Sequence, residues 1–291
     1  MRWLRNNWRE LIAIPMLTLW LLIAQNFTSG RPLHPDRIVV WIFDVGQGDT
    51  IFIDAPDRQI LIDGGPDGVV IEKLTAVMPF WDREIDLVID THPHADHIMG
   101  LVHVLDRYQV EEVWTSGLSY ETPVHTAFKE RTGEALDARA GEVIDLGQGA
   151  TLTILWPTSQ IDDAWLDDPN AGSVVTLLEY GDASILLTGD IGFEEEEALV
   201  VGAYGHTRLR HVDVLKVGHH GSPTSTSRAF LETITPDFAV ISSGENTYGH
   251  PSPVVLDRLR AIGAAIFRTD TSGDIRIVSD GAEPSIRAFD L

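Results

Sequence analysis

The chain has 291 residues, no cysteine, and a net charge of −23 from 44 acidic against 21 basic residues. Its 44% hydrophobic content supports one large folded body with a sizeable core and excludes disorder. The acid excess repels phosphate backbones and argues against simple electrostatic binding of nucleic acid, so phosphate chemistry here needs cations to reverse the charge locally. Without cysteine there are no disulfides, thiolate zinc sites, iron–sulfur clusters or cysteine nucleophiles, and a metal site must use His, Asp, Glu and water.

Residues 1–10 (MRWLRNNWRE) are basic, and residues 11–27 (LIAIPMLTLWLLIAQNF) carry no charge. At seventeen residues this largely apolar stretch is at the short end for a membrane span. Arginines ahead of them predict a cytoplasmic start and an extracytoplasmic body, anchored by one N-terminal apolar helix. Secretion after signal cleavage is the alternative. Residues 28–37 (TSGRPLHPDR) read as a polar linker, and residues 38–291 as the folded domain.

Within that domain, Ile38–Val45, Thr50–Asp54 and Gln59–Asp63 read as strands separated by turn signals. Val69–Met78 has helical spacing, Ile85–Asp90 is an apolar strand, and Ile98–Tyr108 is helical again. Strand Val110–Thr115 and helix Pro123–Thr132 follow, then strands Val143–Leu146, Thr151–Trp156, Ser173–Tyr180 and Ser184–Thr188. Glu194–Ala203 reads as a helix whose Glu194–Glu197 run is a solvated face. Strand Val212–Val217, helix Ser227–Ile234 and strand Phe238–Ser242 come next. Ser252 caps a helix over Val254–Ile262, with Pro253 at its first position. The last strands are Ala265–Arg268, Asp274–Val278 and Ile286–Phe289. This alternation predicts an α/β fold, an αββα four-layer sandwich. A Rossmann arrangement is disfavoured, because DVGQGD leads into a strand, not a helix.

The chemistry concentrates in DTHPHADHIMG, directly after the strand DLVI. His92 and His94 are two apart in extended chain, so their rings can face one way. Asp96 and His97 follow at the start of a helix. One cation cannot readily take four ligands from so tight a turn. Two can, with the His-x-His pair on one and the Asp-His pair on the other, which is a clamp for hydrolysis.

These residues match the H-x-H-x-D-H signature, and the chain resembles the metallo-β-lactamase superfamily. The resemblance implies that Asp190, ending ILLTGD, bridges the two metals, and that His219 or His220 of DVLKVGHHGS completes metal two. His219 is favoured because it is nearest the strand end. It also implies that Asp63, in LIDGG, orients ligands from behind. Most of the superfamily supplies a third His to metal one. Here that stretch reads NAGSVVTLL, while His103 and His125 sit on helices. The expected metal ligands are therefore His92, His94, Asp96, His97, Asp190 and His219, holding two divalent ions, Zn or Mn, with the missing His favouring Mn.

DVGQGDT, LIDGG, THPHADHIMG, NAGSVV, LLTGD, DVLKVGHHGS and SSGENTYGHPS occur in that order. Together they resemble the metallohydrolase domain of ComEC-type competence (DNA-internalisation) proteins, here as a stand-alone domain. The resemblance implies hydrolysis of a phosphodiester, single-stranded DNA or a nucleotide. Asp96 would orient the nucleophile and His250 would protonate the leaving oxygen. Asn170, Ser173, His220 and Ser222 are expected to line the substrate path. Two alternatives are an acyl (lactam, lactone or thioester) hydrolase and a catalytically degenerate membrane-anchored partner of an envelope or DNA-uptake machine. Protein partners are not legible.

Overall fold

The structure, a computed structural model, describes residues 34, 36–158, 167–202 and 209–291. The apolar segment 11–27 lies outside the described residues. Among them no helix is long and apolar enough to cross a membrane.

Two sheets form the centre. The first is built from β1 (Ile38–Ile42), β2 (Ile51–Asp54), β3 (Gln59–Ile62), β4 (Glu84–Asp90), β5 (Gln109–Thr115) and the two-residue β6 (Leu136–Asp137). The second contains β7 (Val143–Gly147), β8 (Ala150–Trp156), β9 (Val175–Tyr180), β10 (Ala183–Leu187), β11 (Val214–Lys216), β12 (Phe238–Ile241) and β13 (Ala265–Arg268). The last strands, β14 (Asp274–Ser279) and β15 (Ser285–Phe289), return to the first sheet, whose order is β15-β14-β1-β2-β3-β4-β5-β6. The second sheet runs β13-β12-β11-β10-β9-β8-β7. In each sheet an antiparallel meander gives way to parallel strands, at β3–β4 and at β10–β11. The chemistry-bearing loops leave the carboxyl ends of those parallel strands, where open α/β sheets place their sites.

The layering follows from period-two alternation. Ile38, Val40 and Ile42 of β1 pack inward with Ile154, Leu178, Ile185 and Val214 of the second sheet. Val39 and Trp41 point the other way, onto Val70 and Leu74 of α1 (Val69–Val77), Ile98, Leu101 and Val104 of α2 (Ala95–Leu105) and Phe128 of α3 (Pro123–Thr132). The outer face of the second sheet is covered by α4 (Phe193–Val201), α5 (Arg228–Ile234) and α6 (Pro253–Ala261), through Leu199, Phe230, Leu231, Val255 and Leu259. Three apolar clusters separate four layers, so the expected αββα sandwich is the observed fold.

Local departures have local causes. β1 ends at Ile42, not Val45, because the Asp44 carboxylate accepts the Gly46 N–H at 3.2 Å and turns the chain. α2 starts at Ala95, three residues before the expected start, with His94 at its N-cap. β6 and the four-residue helix α7 (Thr269–Ser272) are too short to show a period in sequence. The Glu194–Glu197 run is a solvated face only in part: Glu194 and Glu197 are exposed, Glu195 and Glu196 buried. Glu196 is buried, and its carboxylate accepts the N–H groups of Thr226 and Ser227, the latter at 2.7 Å, tying α4 to the start of α5.

One contact fixes α2 against the first sheet. The backbone of Gly64 and Gly65 lies directly on α2. Gly64 donates to His97 O at 2.7 Å, and Gly100 donates to Gly65 O at 3.0 Å. A Cβ on Gly100 would lie 1.7 Å from Gly64 O. Gly100→Ala must therefore push the helix away from the turn that carries Asp63. We expect a loss of about 1–3 kcal/mol in urea unfolding, and a fall in metal affinity alongside it. Unchanged stability and metal affinity would show that the contact is dispensable.

Candidate metal centre

Asp63 follows β3 with φ 57°, a left-handed turn that aims its carboxylate at the end of β4. One oxygen accepts the Thr91 N–H at 2.8 Å. The other accepts the Thr91 hydroxyl and the His97 Nδ1–H, each at 2.7 Å. A carboxylate only accepts, so His97 carries its proton on Nδ1 and turns the lone pair of Nε2 toward Asp190, 3.4 Å away. The Thr91 hydroxyl gives its proton to Asp63 and so accepts from His92 Nδ1 at 3.1 Å. That frees His92 Nε2, which lies 3.0 Å from His94 Nδ1. Asp63 thus sets the tautomers of two imidazoles, in the way carboxylates support metal-bound histidines.

The second sheet supplies the rest. Asp190 follows β10, after Gly189 at φ 51°, and donates its N–H to Ser173 Oγ at 3.2 Å. After β11 the chain forms a 3₁₀ turn over Gly218–Gly221, with His219 and His220 both left-handed at φ 49° and 53°. Two consecutive non-glycine residues in that region cost roughly 1–2 kcal/mol each, and such strain concentrates at functional sites. The turn brings the His220 ring inward. Its Nδ1–H donates to Ser242 O at 3.1 Å, so Nε2 faces Asp190 at 3.2 Å and Asp96 at 3.6 Å.

The two adjacent rings are placed differently. That of His219, the one nearer the strand end, is 27% exposed, and its Nε2 stays 4.0 Å from Asp190. The left-handed pair swings the second ring into the cluster, so His220 groups with the converging His and Asp ligand atoms.

His92, His97 and Asp190 offer ligand atoms within 4.8 Å of one another, and so do Asp96, His97 and His220. Nε2 of His97, Nε2 of His220 and an oxygen each of Asp49 and Asp190 are buried without hydrogen-bond partners. Buried polar atoms are rarely left so. Burial opposes a charged His97, yet Asp190 and Asp63 on either side overcome it and lift its pKa well above the usual range. Burial likewise opposes charge on His220, but Asp190 and Asp49 raise its pKa to about 9. Burial penalises ionised Asp190, and His220 and His97 nevertheless hold its carboxyl well below the ordinary value. The site wants positive charge where these Nε2 atoms converge, as ring protons or as a cation in their place. These residues fit divalent cations.

Two residues missed in the sequence complete the setting. Lys216, fully buried at the end of β11, pairs with Asp49, and its ammonium lies 3.3 Å from Gly189 O and 3.9 Å from Asp190. The signal was available: a charged residue inside the apolar run DVLKV, in a chain with three lysines.

The other expected site residues divide. The Asn170 side chain lies beside His94. Ser173 is fully buried with its hydroxyl on the Asp190 amide, so it places Asp190 and cannot face a substrate. Ser222 is also buried. Its hydroxyl bonds Thr224 Oγ1 at 2.9 Å and its N–H bonds His219 O at 2.8 Å, which makes it an internal tie of the turn. Both corrections have one cause: short polar side chains beside a tight turn satisfy backbone groups first. The His250 ring lies 5.7 Å from that of His219, at the outer side of the cluster. His125 stays out of the cluster, donating from Nδ1 to Tyr120 O at 2.6 Å.

The sequence profile of the metallo-β-lactamase superfamily matches residues 43–245. The chain belongs to that superfamily. It is 32% identical over 263 residues to competence protein ComA of Neisseria gonorrhoeae, covering 88% of this chain but 35% of ComA. The chain thus spans about a third of that curated relative. A shorter match, 28% over 72 residues (23% of this chain, 27% of the relative), is to the exodeoxyribonuclease WalJ of Streptococcus pneumoniae. Among solved structures, the metallo-β-lactamase fold protein YhfI from Bacillus subtilis superposes with a TM-score of 0.54 at 11% identity, over 82% of this chain and 98% of YhfI. That likeness supports the fold alone. Membership of the metallo-β-lactamase superfamily and the His/Asp groups together mark a metal-dependent hydrolase.

His220→Ala should lower metal affinity by at least about 100-fold, more than loss of a supporting residue costs, whereas His219→Ala should keep the wild-type metal content by elemental analysis. The reverse pattern would support the His219 assignment. Asp63→Asn should weaken metal binding about 10–100-fold through loss of tautomer control, measured by competition with a chromophoric chelator. Wild-type affinity would remove Asp63 from the support of the site.

Proposed function

We propose that the chain is a two-metal phosphodiesterase acting on single-stranded nucleic acid or nucleotides. The observation that carries this reading is a charge count. Asp49, Asp63, Asp96 and Asp190 bring four negative charges, against one from the buried Lys216, which leaves −3. Burial, and then the Asp63 charge, push the nearby Asp90 carboxyl well above the ordinary carboxylate range, which favours its neutral form. One divalent cation would leave −1 and repel a phosphodiester. Two would leave +1 and attract it. His92, His94 and Asp190 would hold the first, with Asn170 beside His94. Asp96, His97, His220 and Asp190 would hold the second.

Bound divalent cations supply Lewis acidity toward the phosphoryl group and a nucleophile at neutral pH. The protein supplies placement. Asp96 is half-exposed and its carboxyl stays ionised, because the nearby His220 outweighs the effect of burial. It can therefore accept a proton or a hydrogen bond from an attacking water. His250 is neutral at rest, since burial holds its pKa below 6.5. It serves the leaving oxygen as a hydrogen-bond partner, gaining a proton only when an anionic substrate sits beside it. The name of WalJ and the competence relatives support a nucleic-acid substrate. The basic start and the apolar segment 11–27 support a tethered body working outside the cytoplasm.

Manganese- or zinc-loaded protein should hydrolyse bis-p-nitrophenyl phosphate and single-stranded DNA, and leave nitrocefin intact. His97→Ala and Asp190→Ala should each lose at least about 100-fold in kcat/KM, beyond the effect of a supporting residue. Nitrocefin turnover without phosphodiester turnover would overturn the substrate class in favour of an acyl hydrolase.

A further inference from the structure

The aromatic rings at the centre form an unbroken series of contacts. From His220 it runs through His97, 5.3 Å away, to His92 at 4.1 Å, His94 at 4.7 Å and Tyr120 at 5.7 Å. In the other direction it runs from His220 to His219 at 6.3 Å, His250 at 5.7 Å and Tyr248 at 5.8 Å. The series starts in the buried core and ends at Tyr248, which is 74% exposed.

The segment that carries Tyr248 is built to hold still. The Asn246 side chain makes four hydrogen bonds across it. Its amide donates to Gly244 O at 2.8 Å and His250 O at 2.7 Å, and its oxygen accepts the N–H groups of Tyr248 and His250, both at 3.1 Å. At its base Gly244 lies against the Gly46–Gln47 backbone, where a Cβ would come within 2.4 Å. A rigid loop that leaves a large ring in water is not explained by packing. A pre-oriented aromatic face beside a phosphodiester site is explained by stacking on a base.

Charge makes the same demand. Proteins usually hold single strands with basic grooves plus aromatic platforms. A chain at −23 has little positive charge to spare for the first means, and a charge-neutral grip beyond the metal centre suits it. Stacking is neutral, and it tolerates any base. We infer that Tyr248 is a base-stacking platform that holds the nucleobase one or two positions from the scissile phosphate, which makes it a specificity-determining residue for single-stranded nucleic acid. This rests on the phosphodiesterase reading above. The exposed Phe80, on the turn before β4, sits at the end of that strand remote from the metal centre and serves as a control.

The test is equilibrium binding, by anisotropy, of a fluorescein-labelled five-residue oligothymidylate with phosphorothioate linkages to the manganese-loaded protein. Tyr248→Ala should weaken binding at least about fivefold, the lower end for loss of one stacked base. Tyr248→Phe, which keeps the ring, should stay within about threefold of wild type, and Phe80→Ala should match it. An oligonucleotide with abasic residues should bind wild type as weakly as the oligothymidylate binds Tyr248→Ala, and should lose nothing further in that variant. Equal affinity of wild type and Tyr248→Ala overturns the platform, as does an undiminished effect of Tyr248→Ala on abasic strands. Because binding is read without turnover, failure to hydrolyse phosphodiesters would sink the phosphodiesterase reading while the platform is still judged by these affinities.

Discussion

The Asp63 carboxylate is the interaction on which the centre depends. It closes the end of β4 through both polar groups of Thr91 and fixes His97 through Nδ1. Removing one of those bonds would not merely subtract a contact. It would let imidazoles choose tautomers, and a ring with its lone pair turned away cannot bind a cation. Asp63 is itself held by backbone. The Gly64–Gly65 turn bonds to His97 O and to the Gly100 N–H, so the carboxylate and the helix it serves move as one piece. This is why a glycine inside α2, ordinarily a weak helix former, is in place: a side chain there would part the two.

The two sheets contribute unequal halves. The first presents His92, His94, Asp96, His97 and Asp63 from one strand end and the turn beside it. The second presents Asp190 and His220 from two parallel strands. Their relative position is set by the central apolar cluster, whose residues come from both inner faces. Lys216 and Asp49 add a direct polar link across that boundary, since Asp49 precedes β2 and Lys216 ends β11. An unpaired lysine buried so deeply would be strongly unfavourable. Paired, it neutralises one carboxylate at the rim and leaves the others to a metal.

The fold was legible because most of its elements are long enough to show a period, and because the glycine and proline punctuation marks their ends. The strand VVW of β1 and the spacing of Val70 and Leu74 are examples. What was not legible turned on conformation within three or four residues. His219 and His220 are adjacent and chemically identical, so only their left-handed φ values decide which ring enters. Ser173 and Ser222 looked like substrate contacts because hydroxyls near a phosphate site often are, and here the backbone claimed them first. Asp49 and Lys216 are 167 residues apart, and no spacing argument connects them until the sheets are stacked.

The arrangement also bears on the missing third histidine. In the stretch where the resemblance leads one to expect that imidazole, the Asn170 side chain lies beside His94, and its oxygen is buried without a hydrogen-bond partner. An amide oxygen is a harder, weaker ligand than an imidazole nitrogen. It suits manganese or magnesium better than zinc. Under the phosphodiesterase proposed above, an amide beside His94 in place of a third imidazole would suit a hard cation and would leave room for a phosphoryl oxygen.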